Sequence, residues 1–438
     1  MKLRILVLIL FGAGSLFAQQ TPPPPTPASS EDTAALMQKI RDLEDRVIML
    51  EGKVRTLSAG PAAAATPAPA GGTAPSAEGG PAPATQTASI EAQPAPVTTG
   101  GAGGSAGKAL NPDISVIGDF IGAAGRNDAS PFAPQQPFPS LQMHESEIGL
   151  QAIIDPYAKG DFFISFGEEG VDVEEGYITF TALPGGVVAK VGKMRSAFGK
   201  VNGLHNHVLP WVDRPLVTTN LVGGEDGIDD AGVSLERIIP MPKGIFLEAT
   251  GQLFRGDSGD SNSPLFHATE RGDLSTVEHI RTYKDITEST NVDIGASYAR
   301  GHNDVGSNYL TQLYGVDATV RWKPLRRSIY HSFIGRGEFI WSQRQEIASE
   351  QKAFGFYTSG DYQLGRRWFV GGRYDQSGRP LFANMTDKGT SATITYWPSE
   401  FSQVRGQYRY TDYAEGIHAN EFLMQLIFSL GAHGAHPF

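Results

Sequence analysis

The residues of this 438-residue chain best suited to metal chemistry are His205 and His207, two imidazoles separated by Asn206. Residues two apart share one face of an extended segment, and imidazole is a common zinc ligand. His433 and His436 form a second pair near the end of the chain. Zinc sites usually take three or four ligands, so either pair needs partners from elsewhere in the fold. Hydrolysis would need a serine nucleophile beside His205 and Asn206. No serine in a recognisable nucleophile context accompanies them, so the chain reads as a non-enzyme. No resident cofactor is expected, with zinc at His205 and His207 as the alternative. The surrounding stretch, 195–227, also carries Arg195, Lys200, Asp213, Arg214, Glu225 and Asp226.

Composition limits the partners. Acidic residues outnumber basic ones 47 to 36, for a net charge of −11. Nucleic acid is therefore not expected as a partner, because phosphate binding needs clustered Lys and Arg. Residues 109–438 hold 28 basic and 39 acidic residues, so the whole imbalance lies there. Cysteine is absent, which excludes disulfides, thiolate metal sites, cysteine nucleophiles and a lipid-bearing N-terminal Cys.

The N-terminal quarter holds devices rather than a core. Lys2 and Arg4 precede an apolar run from Ile5 to Phe17, and Ala18 offers a small-residue cleavage site. Residues 1–18 read as a secretory signal peptide. Residues 19–33 are a Pro-rich spacer containing TPPPPTP, an extended polyproline stretch. In 34–57, Leu36, Ile40, Leu43, Val47, Leu50, Val54 and Leu57 follow an unbroken heptad seam, with Lys39–Glu44 and Arg46–Glu51 placed to pair across parallel helices. This predicts a coiled coil that supports a homo-oligomer. Residues 58–109, almost entirely Ala, Pro, Gly, Thr and Ser, read as a disordered linker.

From 110 to 438 the period becomes two. Tyr314, Val316, Ala318, Val320 and Trp322 alternate with Gly315, Asp317, Thr319 and Arg321. Sixteen such segments are predicted, near 113–123, 145–154, 159–167, 172–182, 187–194, 228–237, 244–254, 277–285, 291–300, 310–323, 331–342, 353–364, 367–376, 387–397, 401–411 and 421–430. Most have about the ten residues that a tilted membrane strand needs. Short turns such as 155–158 and 398–400 alternate with longer connections such as 195–227, 255–276 and 301–309. That alternation is a mark of outer-membrane barrels. Phe166, Phe180, Trp322, Trp341, Trp368, Trp397 and Phe401 lie near strand ends, where an aromatic girdle belongs. The expected fold is all-β: a 16-stranded antiparallel transmembrane β-barrel, preceded by the coiled-coil helix and the linker. Its expected place is the bacterial outer membrane, in contact with lipid, with the coil in the periplasm.

Several segments carry a family likeness: VAKVGKMRSAFGKVNGLHNHVLPWVDRPL (188–216), GEDGIDDAGVSLERIIP (224–240), DIGASYARG (293–301) and the final strand. Through them residues 110–438 resemble a bacterial porin of the phosphate-selective O/P type. Residues 198–215 and the tail GAHGAHPF are more similar still to the subgroup described as zinc-regulated outer-membrane receptors. The resemblance implies a sixteen-stranded porin, a trimer, and a connection over 195–227 folded into the lumen as a constriction. A dimer, which β-branched a positions with Leu at d favour, is the other oligomer considered. Phosphate selectivity does not follow, because a phosphate filter needs dense Arg and Lys with little acid nearby. A TonB-dependent plug does not follow either, since 19–109 is too short and too poor in core residues to fold as one.

The strand phases put Lys190, Arg321, Arg336, Arg373, Arg405 and Arg409 in the lumen. They put Glu175, Asp230, Glu236, Glu248, Asp317, Glu338, Asp361 and Asp375 there too. This leaves two arrangements open: a field between a basic wall and an acidic wall, or locally paired charges. Arg195, Lys200 and Arg214 are expected to face solutes from the constriction, beside His205, His207 and Asp213. The expected function is passive diffusion of small hydrophilic solutes or ions. Its alternatives are a zinc-linked uptake barrel, or a structural envelope protein spaced by its coil. If the coil is the oligomer device, Val47→Asp puts an unpaired charge in the seam. Sedimentation of the full-length protein is then expected to show loss of self-association; an unchanged assembly state removes that role.

Overall fold

A computed structural model describes residues 112–127, 140–168, 170–260, 263, 265–382 and 384–431. The predicted signal peptide, Pro-rich spacer, coiled coil and linker, and the tail histidines His433 and His436, lie outside the described residues.

Among the described residues, seventeen strands make one sheet. They are β1 (Asp113–Asn127), β2 (Leu141–Met143), β3 (Ser146–Asp155), β4 (Ala158–Gly167), β5 (Gly170–Leu183) and β6 (Val187–Arg195). These are followed by β7 (Asp229–Pro240), β8 (Ile245–Phe254), β9 (Ser275–Thr287), β10 (Thr290–Asn303), β11 (Gly306–Trp322) and β12 (Phe333–Gln345). The last are β13 (Glu350–Gln363), β14 (Trp368–Gly378), β15 (Thr386–Ser399), β16 (Ser402–Asp412) and β17 (His418–Gly431). All pairings are antiparallel, and β1 joins β17 from Ser115↔Gly431 to Asn127↔Ala419, which closes the barrel. The three-residue β2 pairs with the far half of β1 and β3 with the near half, so together they fill one position among sixteen.

The alternation works as period two requires. On β11, Tyr314, Val316 and Val320 point outward and are exposed, while Leu313, Asp317 and Thr319 point inward and are buried. Ile294, Phe339, Ile394, Tyr408 and Phe422 extend the apolar outer surface around the barrel. Such a surface suits lipid, and closure leaves no strand edge whose N–H and C=O groups would go unpaired in hydrocarbon. Among the described residues no helix is long and apolar enough to cross a membrane.

All sixteen predicted segments are strands, but many run further than predicted. The segment read as a loop at 301–309 is mostly strand, with a turn only at Asp304–Val305 between β10 and β11. Conversely, the link from β11 to β12 is ten residues long, 323–332, so loop lengths alternate less regularly than the sequence suggests. Trp397 leaves the expected girdle: it is buried with Ile117 and Ile427.

The inward face is not uniformly polar either. Val277, Ala299, Leu313, Ile340, Ala353 and Tyr357 form an apolar band across β9 to β13, covered by Phe198, Val201, Trp211, Val217 and Leu221 of the β6–β7 connection. Among the described residues, the largest cluster of buried apolar side chains therefore lies inside the barrel. The outer face gives a direct test. Val316→Arg places a charge in the apolar outer band and, if that band meets lipid, is expected to destabilise the barrel by about 2–4 kcal/mol. Denaturant unfolding in lipid vesicles measures this, and an unchanged midpoint would show that Val316 does not meet lipid.

Candidate functional site: the inner segment and its histidine–carboxylate cluster

The connection from Ser196 to Ile228 is fastened at its own base. Ser196 N donates to Ile228 O (2.8 Å). Asn202 Nδ2 donates to Ser196 O (3.0 Å) and Ile228 O (3.1 Å), while Ile228 N donates to Asn202 Oδ1 (2.8 Å). One side-chain amide thus holds both feet of a 33-residue excursion together. Gly199 turns the chain at φ +61°, and a Cβ there would collide with the Glu338 carboxylate. Its N–H donates to Ser297 Oγ (2.9 Å) on β10. Beyond it come a 3-10 turn at Asn206–Val208 and a short helix, α1 (Leu216–Leu221), entered through Pro215.

Arg214 organises the middle of the segment. Its guanidinium donates to Asn206 Oδ1 (2.9 Å), Val201 O (3.1 Å) and Leu204 O (2.6 Å), and the residue is only 1 % exposed. Burial, with Arg195 nearby, pushes its pKa down to about 10. Arg214 therefore does not face solutes as expected: its donors are used by the loop's own oxygens. Arg195 is likewise engaged, by Glu174 and by the carbonyls of Glu225 (3.4 Å) and Asp226 (2.9 Å). Lys200 pairs with Asp293 (3.2 Å) and Asp317 (3.8 Å). These three cations hold the segment rather than greet a solute.

On the far wall Asp213 lies between two guanidiniums. Arg373 Nη2 donates to Asp213 Oδ1 (3.0 Å), and Arg409 Nη1 to Asp213 Oδ2 (2.7 Å). Arg405 Nη1 donates to Trp211 O (3.0 Å), Val212 N to Gln407 Oε1 (2.8 Å) and Leu216 N to Asp375 Oδ1 (3.2 Å). Trp211 packs edge-on to Tyr357 and under the Arg373 guanidinium, 4.8 Å from its ring centre. The segment thus crosses the lumen and docks on β10 to β16.

Of the residues that the strand phases put in the lumen, Lys190, Glu248, Asp317, Arg321, Arg336, Glu338, Arg373, Arg405 and Arg409 lie on the inward face, mostly with partners. Arg336 meets Asp361, and Arg321 is 3.6 Å from Asp293. Arg373 also meets Asp375 (2.7 Å) and Arg409 also meets Glu421 (2.6 Å). Glu248 is opposite Arg281 in the ladder, Lys190 lies over the Tyr177 ring, and Lys200 N and Lys200 Nζ approach Glu338 and Asp317. Local pairing, not two opposed charged walls, describes these contacts.

Toward β1 to β8 the segment leaves a cavity of about 630 Å³. Its lining includes Glu145, Asp172, Glu174, Glu225, Asp226, Asp229 and Asp257 against two bases, Lys193 and Arg195. Two β-bulges build its acidic corner. Between β2 and β3 one extra residue lets His144 and Glu145 both turn toward the lumen, beside Glu147, which faces it by the regular alternation of β3. On β5 the register slips between Phe163↔Glu175 and Ile164↔Val173, so Glu174 and Glu175 are both buried. Bulges re-aim side chains in this way. His205 Nδ1 then meets Glu147 Oε2 (2.5 Å) and Glu174 Oε2 (3.3 Å), and His207 Nδ1 lies 3.9 Å from Glu147 Oε2. A neighbouring set comprises His144, Glu145 and Glu225, with His144 Nε2 3.2 Å from Glu225 Oε1. Asn206 Nδ2 donates to both Glu145 and Glu225.

The environments split the two imidazoles. Burial opposes charge on His205, but the Glu174 and Glu147 carboxylates outweigh it and raise its pKa well above the ordinary value. Burial lowers His207, and the His205 charge adds to the effect. Burial, with the Glu174 and Glu225 charges, pushes Glu145 up to about 8. Sequence reading found His205 and His207 but missed Glu147, Glu174 and His144. The available signals were the doubled acids Glu174-Glu175 and the polar run His144-Glu145-Ser146-Glu147, each a break in strict alternation.

The Asp213 clamp gives two expectations. Burial alone would raise the Asp213 pKa, but Arg373 and Arg409 hold it down at about 2. The unfolded value is about 4, so the clamp contributes fully above about pH 4 and is lost as pH falls toward 2. Asp213→Ala leaves two buried guanidiniums without this partner and is expected to cost about 3–5 kcal/mol. Hydrogen exchange of amides 196–228 at neutral pH reads the loss; wild-type protection in the variant would show that the segment is held by other contacts.

No protein-family model matches the chain. It is 29 % identical over 390 residues to an uncharacterized protein of Aquifex aeolicus (strain VF5), covering 76 % of this chain and 81 % of that one. Among solved structures, the chain is similar to the anion-selective porin from Comamonas acidovorans, with a TM-score of 0.49, 11 % identity, and 73 % and 99 % of the two chains covered. It is also similar to Pseudomonas putida OprB at high pH, with a TM-score of 0.50, 10 % identity, and 74 % and 95 % covered. At such identities the likeness is one of fold: a closed sixteen-stranded antiparallel barrel of the kind found in the outer membrane.

Proposed function

We propose that this chain is an outer-membrane porin, in which small hydrophilic solutes and ions diffuse passively past the inner segment 196–228. The observation that carries the reading is the docking of that segment across the lumen. It is fastened at its feet by Asn202 and on the far wall by Asp213, and the space beside it is lined by polar and charged groups. A structural spacer has no need of a hydrated, charge-lined interior. The residue likeness of 188–216 and 224–240 favours the phosphate-selective O/P group, and the 198–215 stretch its zinc-regulated subgroup. The acidic lining favours cations over phosphate within that group, because rings of acid attract cations. The heptad seam of 34–57 supports a homo-oligomer, a trimer by the porin resemblance, with a dimer, which the seam's own a and d residues favour, as the alternative.

Single-channel recording of the full-length protein in planar bilayers is expected to show stepwise ohmic conductance with weak cation preference. Reversal potentials in a salt gradient decide the sign. Deleting 202–212 is expected to raise conductance and relax size exclusion. An absence of steps from heat-modifiable protein would shift the reading to a structural barrel. Unchanged conductance in a folded deletion variant would remove the constriction role from the inner segment.

A further inference from the structure

Three ligand-bearing side chains from distant parts of the chain converge inside the barrel. Glu147 on β3, His205 and His207 are all buried, and each brings one ligand atom within 4.8 Å of the others. His207 Nδ1 is buried without a hydrogen-bond partner among the described residues. A buried polar nitrogen left so is costly, and a coordinate bond would satisfy it. Glu174 Oε2, also without a hydrogen bond, stands 3.3 Å from His205 Nδ1, in place for a fourth ligand.

We propose that Glu147, His205 and His207 form a binding site for a divalent transition metal, with Zn2+ the best-matched ion and Glu174 completing the set. Two imidazoles with one or two carboxylates suit zinc, whereas Mg2+ and Ca2+ take six or more oxygens. Glu145, Glu175 and Glu225 add negative charge around the cluster, and Arg195 offsets part of it. The β5 bulge serves this corner: it turns Glu174 inward beside Glu175, while Glu147 faces the lumen by the regular alternation of β3. A bound ion would tie the inner segment to β3 and β5, strands that the Asp213 clamp does not reach. The cavity would then carry a metal-dependent brace on the segment that narrows it. The site does not require that the barrel conduct, so its test is separate from the bilayer recordings.

Full-length protein in detergent, stripped with EDTA and dialysed, is titrated calorimetrically with ZnCl2. One Zn2+ per chain is expected, with affinity falling at least about tenfold in Glu147→Gln and in His207→Gln. A His433→Ala/His436→Ala double variant is expected to bind as wild type. Folding of each variant is checked by heat-modifiable mobility. A folded Glu147→Gln or His207→Gln variant with wild-type affinity overturns the proposal. So does loss of binding in the tail variant, or no uptake by the wild type. If the ligand variants do not fold, the Co2+-loaded wild type decides. An intense tetrahedral d–d band supports the site, and a weak octahedral spectrum sinks it.

Discussion

A buried carboxylate between two guanidiniums fixes the architecture of this lumen. Asp213 reaches Arg373 and Arg409 on strands that are not adjacent, so it settles which part of the opposite wall the inner segment meets. A charge buried here would be prohibitive alone, and the two Arg residues would be equally costly without it. The apolar band on β9 to β13 supplies area for docking, but apolar contact is non-directional. The ion triad and the carbonyl contacts from Arg405 and Arg373 supply direction.

The wall from β1 to β5 is built differently. There the wall comes to the segment, because irregularities in β2–β3 and β5 turn acids inward that regular strands would not present together. The same histidine pair is therefore held in two protonation environments, one imidazole between carboxylates and one buried beside it. Carboxylates and guanidiniums that look like a solvated pore lining in a list of charges become an internal framework once their partners are seen. Arg214 is the clearest case, since its donors end on Asn206 and two loop carbonyls.

The barrel was legible because an apolar outer face and a polar or loop-covered inner face enforce period two, as Tyr314 to Trp322 shows. The strand ends were less legible. Beyond the apolar band, stretches such as Gly301-His302-Asn303 keep strand geometry without apolar alternation and so resemble loop. Trp397 defeated the girdle rule because a large aromatic can fill the inside of a wall as well as face an interface. At the site, the His205-Asn206-His207 spacing was visible, but Glu147 and Glu174 come from strands far away in sequence, and Glu174 is out of phase. A one-residue bulge reverses the face that alternation assigns. The orientation of Arg195, Lys200 and Arg214 was misread because charge in a loop suggests solvent, whereas these cations are neutralised by carbonyls and acids inside the fold.

The far-wall clamp also sets an order of events. Asp213 bonds to Arg373 and Arg409, 160 and 196 residues further along the chain. Those strands do not exist beside the segment until the C-terminal part of the sheet has formed. Closure of the ring between β1 and β17 likewise joins the two ends of the sheet. The Asn202 staple, in contrast, needs only residues within 26 positions and can form while the rest of the wall is still incomplete. The segment is thus gathered at its feet as a local unit and seated on the far wall only when the last strands arrive. A barrel arrested before β14 would carry it folded at the base and resting on the apolar band of β9 to β13, but without the Asp213 clamp.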